Sequence, residues 1–165
     1  MITLKNLTSA TKQQVFDQVA THLLKQGRPS YSSKHDMCAY RGDDGLKCAA
    51  GCLIGDDEYD IKMEVNSWED LVDSLPTVPV AHKEMIGDLQ HVHDEAHDLL
   101  PGESVYHHWL NALREFSDNK NLRQDKLKYR VIEGECMTVL FTEETQAEAE
   151  QQLTHALNHG HDAYL

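Results

Sequence analysis

Three of the four cysteines in this chain, Cys38, Cys48 and Cys52, fall within fifteen positions around a Gly-Asp-Asp-Gly turn. Zinc takes four ligands in tetrahedral geometry, often from cysteine pairs that are two to four residues apart. Cys48 and Cys52 have three residues between them. A zinc site is therefore one interpretation of the segment, although its fourth ligand would have to come from elsewhere in the chain.

The same segment also allows a reactive thiol or a packed piece of scaffold. A nucleophilic cysteine needs a lowered pKa and a base nearby. Cys48 follows Lys47, and the chain holds eleven histidines, but no local signature of a thiol enzyme is present. In the packing interpretation, which we favour, the cysteines act as small buried apolar side chains. The run Ala49-Ala50-Gly51 would then let another element approach closely.

A second pair of potential metal ligands is His93 and His97, which are one helical turn apart. The pair lacks the glutamate that would complete a His-Glu-x-x-His zinc motif. His93 falls within the apolar arc of its predicted helix and His97 falls at the edge, so both suit the border of a core. We predict no catalytic residue and no cofactor. The alternative is zinc, with weak candidate ligands Cys38, Cys48, Cys52, His93 and His97.

The net charge of −13 is distributed unevenly. Residues 48–113 hold fourteen acidic residues against two lysines, whereas residues 114–130 hold six basic residues. That basic stretch is the best candidate for direct nucleic-acid binding, but the field of the whole chain repels phosphates. The charge instead favours a protein partner with a basic surface. Solubility is the plainer explanation of the same acidity.

The carboxylates best suited to such a contact recur on one face of a helix predicted over 79–100. Surface helices usually mix the two signs of charge, and this face has no compensating lysine. This face could imitate DNA only approximately, because a duplex carries its charges more densely, at one per about 1.7 Å of its axis. A merely solvated face is the alternative. The predicted partner-binding residues, including those of the preceding helix, are Glu69, Asp70, Asp73, Glu84, Asp88, Glu95 and Asp98.

Hydrophobic periodicity predicts a mainly helical domain of the α+β class with two short antiparallel hairpins. The hairpins are predicted over 37–50, where glycines let the chain reverse, and over 127–141, where apolar residues alternate around Gly134. Helices are predicted over 9–26, 68–75, 79–100, 103–117 and 143–158.

We expect residues 1–117 to form a helical core with the N-terminal hairpin. Residues 118–165 would form a hairpin–helix appendage packed on that core, because so short a segment is marginal alone. No apolar run approaches the roughly 20 residues that span a bilayer. The N-terminus lacks the apolar region of a signal peptide. We therefore expect a cytoplasmic protein with reduced cysteines.

The cysteine segment resembles a family of small proteins of unknown function that are common in bacteriophages and prophages. The core of the resemblance is the pattern Tyr-Arg-Gly…Gly-x-Lys-Cys-Ala-x-Gly-x-Leu-Ile, which begins at Tyr40, and it extends over roughly residues 13–116. The resemblance supplies no activity. It implies an accessory phage protein that acts in an infected bacterial cell.

Together, the charge pattern and the resemblance predict an acidic phage accessory protein that inhibits or modulates a host protein. The host protein, such as a defence enzyme, would have a basic surface that normally holds nucleic acid. The acidic helices would occupy that surface as a DNA mimic. The alternative is a small metal- or thiol-dependent enzyme, or a zinc-stabilised scaffold.

Overall fold

The computed structural model describes residues 1–127 and two short strands at 132–133 and 163–164. These residues belong to two units, Met1–Leu127 and Lys128–Leu165. The first unit extends beyond residue 117 because Leu127 is buried and Leu122 packs against the same core. The packing of the appendage on the core remains a prediction.

The described part of the first unit contains four α-helices, joined by loops and short 3₁₀ turns. They are α1 (Lys12–Gln26), α2 (Trp68–Ser74), α3 (Lys83–Glu95) and α4 (Val105–Asn119). Each of the four overlaps a segment predicted to be helical, with α4 ending two residues beyond its prediction, and the mainly helical α+β class is confirmed.

Local hydrogen bonds determine where α1 and α2 begin and end. Thr11 and Gln14 form a capping box at the start of α1, and Gly27 ends that helix in the left-handed conformation. The hydroxyl of Ser67 accepts from the backbone N–H of Asp70 and caps α2. The Ser67 cap fixes the first turn of α2, which holds Glu69 and Asp70, and α2 packs against α3.

The helix predicted over 79–100 is wrong at both ends. It begins only at Lys83, because His82 takes a left-handed conformation (φ 60°) directly before it. It ends at Glu95 and continues as a 3₁₀ turn over Ala96–Asp98. Leu100, the last residue of the predicted helix, is 69% exposed because the chain has left the helix before reaching it.

One continuous core lies beneath the four helices. Trp68 of α2 and Trp109 of α4 are fully buried within it, and the ring of Phe16 in α1 stacks on that of Phe116 in α4 at 5.9 Å. The apolar residues that recur at helical spacing in α1 are buried along its whole length. The core therefore holds α3 from one side and leaves its acidic side facing solvent.

The first hairpin lies earlier than predicted. Strand β1 (Tyr31–Ser32) pairs antiparallel with β2 (Met37–Cys38), and Tyr31 lies opposite Cys38. The predicted hairpin over 37–50 is wrong in extent, although Arg41 and Lys47 form a single bridge across the predicted reversal. The true turn depends on a left-handed Asp36 in a loop whose polar sequence alone did not indicate strands.

In the second unit, strand β3 (Ile132–Glu133) pairs antiparallel with β4 (Ala163–Tyr164). The rest of the predicted hairpin over 128–141 and the predicted helix over 143–158 lie outside the described residues. Among the helices that the structure describes, none combines the length and the apolar character needed to cross a bilayer.

Candidate functional site

The segment that carries the phage-like pattern is organised around the buried carboxylate of Glu64. This carboxylate is 7% exposed and accepts from the backbone N–H groups of Tyr40 (3.0 Å) and Arg41 (2.9 Å). It also accepts from the hydroxyl of Tyr59 (2.8 Å). The two backbone bonds tie the end of the segment to its beginning, and the Tyr59 bond holds the carboxylate in place, which gives Glu64 a structural role.

The two basic residues of the pattern are likewise occupied within the fold. The guanidinium of Arg41 donates to the carbonyls of Gly51 (2.8 Å) and Ile54 (2.6 Å) and lies 5.2 Å from the centre of the Tyr59 ring. Lys47 pairs with the carboxylate of Asp56 at 2.8 Å, and this bond lowers the pKa of Asp56. These contacts hold the segment together.

The packing interpretation of the cysteine segment agrees with the contacts of Cys48 and Cys52. The sulfur of the buried Cys48 accepts from the backbone N–H of Gly51 at 3.2 Å. The Cys52 thiol donates to the carbonyl of Ala49 at 3.1 Å. A Cβ at Gly51 would press on the backbone of Tyr40, 3.0 Å from its carbonyl carbon. The glycine thus permits the close approach that the sequence predicted.

Among the described residues, one group has the composition of a metal site: Cys38, His93 and Asp94. Their ligand atoms all lie within 4.8 Å of one another. Two of these residues were predicted candidates, and Asp94 was missed. His97, the other predicted histidine ligand, is not part of this group. Its ring stacks on that of Tyr31, with the ring centres 4.3 Å apart.

The hydrogen bonds of His93 favour a structural cluster over a metal centre. Its Nε2 accepts from the backbone N–H of Ser30 at 2.8 Å, so this nitrogen carries the lone pair. The ring proton is then on Nδ1, which donates to the carboxylate of Asp94 at 2.7 Å. Zinc needs a ring lone pair, so binding it through His93 would break the Ser30 bond. The absence of a cofactor stays a prediction.

The environment of the three cysteines raises the pKa of each thiol. Burial raises the pKa of Cys38 to about 12, assisted by the nearby charge of Asp94. Burial also raises the pKa of Cys52 to about 12 and raises that of Cys48. At neutral pH all three are thiols, whereas a nucleophile must be a thiolate.

We expect these thiols to react slowly with iodoacetamide at pH 7.5. Since the pKa of Cys38 rises from 9.0 to about 12, its thiolate fraction is about a thousandfold lower than in the unfolded chain. The rate should increase with pH, as thiolate forms. The measurement uses the Cys136→Ser protein, because Cys136 lies outside the described residues, with the urea-unfolded protein as control. One rapidly alkylated thiol per folded chain would instead support thiol chemistry.

The predicted acidic stripe forms a ridge along the exposed side of α3. We call Glu84, Asp88 and Glu95, with Asp98 of the following 3₁₀ turn, the acidic ridge; all four residues are exposed. At 1.5 Å per residue, the stretch from Glu84 to Glu95 covers about 16 Å of helix. The apolar residues between them point into the core, so the ridge is fixed on a buried support.

Only part of the predicted acidic set is neutralised by lysine. Asp73 of α2 pairs with Lys83, and Asp88 pairs with Lys120 of α4 at 2.9 Å. Glu95 contacts His91 at 3.1 Å, an ion pair only when the histidine is protonated. Among the described residues, Glu84 and Asp98 make neither a hydrogen bond nor an ion pair. The ridge therefore keeps an excess of negative charge.

A cleft of about 440 Å³ lies beside the ridge, between β2, the 64–67 loop, α2 and α3. Glu69 and Asp94 line it, and its described lining contains no lysine or arginine. Glu69 belongs to the predicted partner-binding set, whereas no sequence pattern indicated the cleft. The remaining α2 carboxylate, Asp70, accepts from the hydroxyl of Ser67 at the start of its own helix.

Comparison with protein-family models, curated proteins and solved structures finds no match for this chain. The resemblance of the cysteine segment to phage proteins thus rests on its own residues. The contacts of Arg41, Gly51 and Glu64 explain much of that pattern as structural. The acidic ridge and the cleft are therefore the features that bear on function.

Proposed function

We propose that this protein is a non-enzymatic binding protein whose acidic ridge docks on a basic surface of another protein. The observation that carries the proposal is the charge imbalance around α3. Residues 64–100 hold nine acidic residues and one lysine. Within that stretch the ridge is exposed, rigidly supported and only partly paired.

The ridge suits a protein partner better than a metal ion or nucleic acid. Phosphates are repelled by it, and its side chains project from one side of a helix instead of converging on one point. Guanidinium and ammonium groups form charge-assisted hydrogen bonds with carboxylates. A complementary basic surface would also be steered toward the ridge, most strongly at low salt.

The partner we propose is a host protein whose basic surface otherwise holds nucleic acid. Occupying that surface would inhibit the partner, because the phosphates of nucleic acid and the ridge carboxylates compete for the same cationic groups. The phage-like pattern of the cysteine segment supports a setting in the cytoplasm of an infected bacterium. Arg41 and Glu64 have structural roles, so their part of the pattern reflects a shared scaffold. A shared scaffold does not fix a function, because one fold can serve proteins that differ in function.

The proposal is tested by affinity capture from bacterial lysate at low salt with three forms of the protein. The ridge variant carries Glu84→Gln, Asp88→Asn, Glu95→Gln and Asp98→Asn. The control variant carries four neutralised carboxylates elsewhere, Asp36→Asn, Asp44→Asn, Asp60→Asn and Asp125→Asn, and so has the same net charge.

We expect wild type and control to retain the same basic protein, and the ridge variant to lose it. The retained protein should release nucleic acid when the wild-type chain is added. Equal retention by the ridge variant would show that the contact lies elsewhere. Release by both variants alike would show that only net charge matters.

A further inference from the structure

Within the part of the chain that the structure describes, the Glu69 carboxylate has no partner, although Glu69 is half-buried in the cleft beside the ridge. Among the described residues it makes neither a hydrogen bond nor an ion pair. Withdrawing a carboxylate from water without a compensating partner is unfavourable. Glu69 therefore occupies a position that a cationic group from outside would stabilise.

Gly87 of α3 makes room for this carboxylate. Glycine inside a helix is about 1 kcal/mol less favourable than alanine, and Gly87 has no positive φ that would require it. A Cβ at position 87 would lie only 2.7 Å from the Cδ of Glu69. The glycine thus lets the Glu69 side chain lie directly on the helix backbone, at the wall of the cleft.

A second carboxylate, that of Asp94, faces the same cleft. Its carboxylate accepts from Nδ1 of His93 and lies near the Cys38 thiol, and among the described residues it has no lysine or arginine partner. The cleft also presents two apolar side chains to solvent, Val65 (66% exposed) and Met37 (39% exposed). Negative charge in the cleft and apolar atoms at its wall match a long side chain with a cationic head.

We propose that this cleft receives an arginine side chain of the partner protein, with its guanidinium paired with Glu69 and attracted further by the carboxylate of Asp94. The inference rests on the proposed function, since the arginine would belong to the basic surface that meets the ridge. Arginine fits better than lysine because its planar head can donate two parallel hydrogen bonds to the Glu69 carboxylate and is more weakly hydrated. Its methylenes would pack on Val65 and Met37.

The test uses the full chain and a small probe, N-acetyl-arginine amide, followed by ¹⁵N chemical shifts. We expect saturable shifts at the amides of Gly87, Gln90 and Asp94, with a dissociation constant on the order of 10 mM or tighter. N-acetyl-citrulline amide has the same shape without the charge, and it should bind at least about tenfold more weakly.

Two variants connect the shifts to the proposed contacts. Glu69→Gln should weaken probe binding about tenfold, because it removes a charge-assisted pair. Gly87→Ala should also weaken binding, by displacing the Glu69 carboxylate, while leaving the protein folded because only a flexible side-chain end has to move. Unchanged binding in both variants would overturn the assignment.

Equal binding of the citrulline probe, or no saturable shift around Gly87, would also overturn the arginine site. Neither result would bear on the ridge, because the titration contains no partner protein. Conversely, a failed capture experiment would refute the proposed docking and leave the titration result standing.

Discussion

Replacing Glu64 by alanine is expected to lower the free energy of unfolding by about 3–5 kcal/mol. The backbone N–H groups of Tyr40 and Arg41 and the hydroxyl of Tyr59 would all lose their acceptor. Each buried group left unpaired costs about 1–3 kcal/mol. Urea unfolding measures the change from the transition midpoint at constant slope.

Glu64→Gln provides the matched comparison and remains measurable if the alanine variant fails to fold. Its amide oxygen can accept from one or two of the three donors, so we expect a smaller loss of about 1–2 kcal/mol. If the alanine variant stayed within about 0.5 kcal/mol of wild type, Glu64 would not be the centre of the segment.

The second large effect is expected for Gly51→Ala, which should lower the free energy of unfolding by about 3 kcal/mol or more. The added Cβ would meet the backbone of Tyr40, and no side chain can rotate away to relieve the contact. Tyr40 is itself held by Glu64 through its N–H. Moving this backbone would therefore strain the same hydrogen bonds that Glu64→Ala removes.

Gly87→Ala is the control for that prediction, because its Cβ would meet only the end of the Glu69 side chain. We expect it to leave the free energy of unfolding unchanged or to raise it by up to about 1 kcal/mol, through the higher helix propensity of alanine. Thermal unfolding of the two variants compares them directly. Equal destabilisation by both would refute the backbone contact at Gly51.

Sequence patterns predicted the features that depend on near neighbours. The four helices overlap segments that hydrophobic periodicity indicated, and their caps at Thr11, Ser67 and Gly27 involve only residues within about one turn. The spacing of Glu84 and Asp88 likewise placed both on one exposed face of α3. Patterns of this kind were insufficient where His82 and Asp36 take left-handed conformations that set element boundaries.

Contacts between distant residues could not be read from the same patterns. Glu64 is 24 positions from the Tyr40 N–H that it binds, and nothing nearby marks it as an acceptor. The pairing of Asp88 with Lys120 depends on how α4 packs beside α3. Gly87 appeared as an ordinary residue of a helix, and only its neighbour Glu69 on α2 shows what the missing side chain permits.

The central claim is that the acidic ridge binds a basic protein surface, and the salt dependence of the captured complex tests it most directly. We predict that the dissociation constant of the wild-type complex rises steeply with salt concentration. The control variant should show the same affinity and the same salt dependence. The ridge variant should bind about thirtyfold more weakly at low salt, at about 0.5 kcal/mol per carboxylate, and its affinity should depend less on salt. A ridge variant whose affinity and salt dependence both equal those of wild type would contradict the claim.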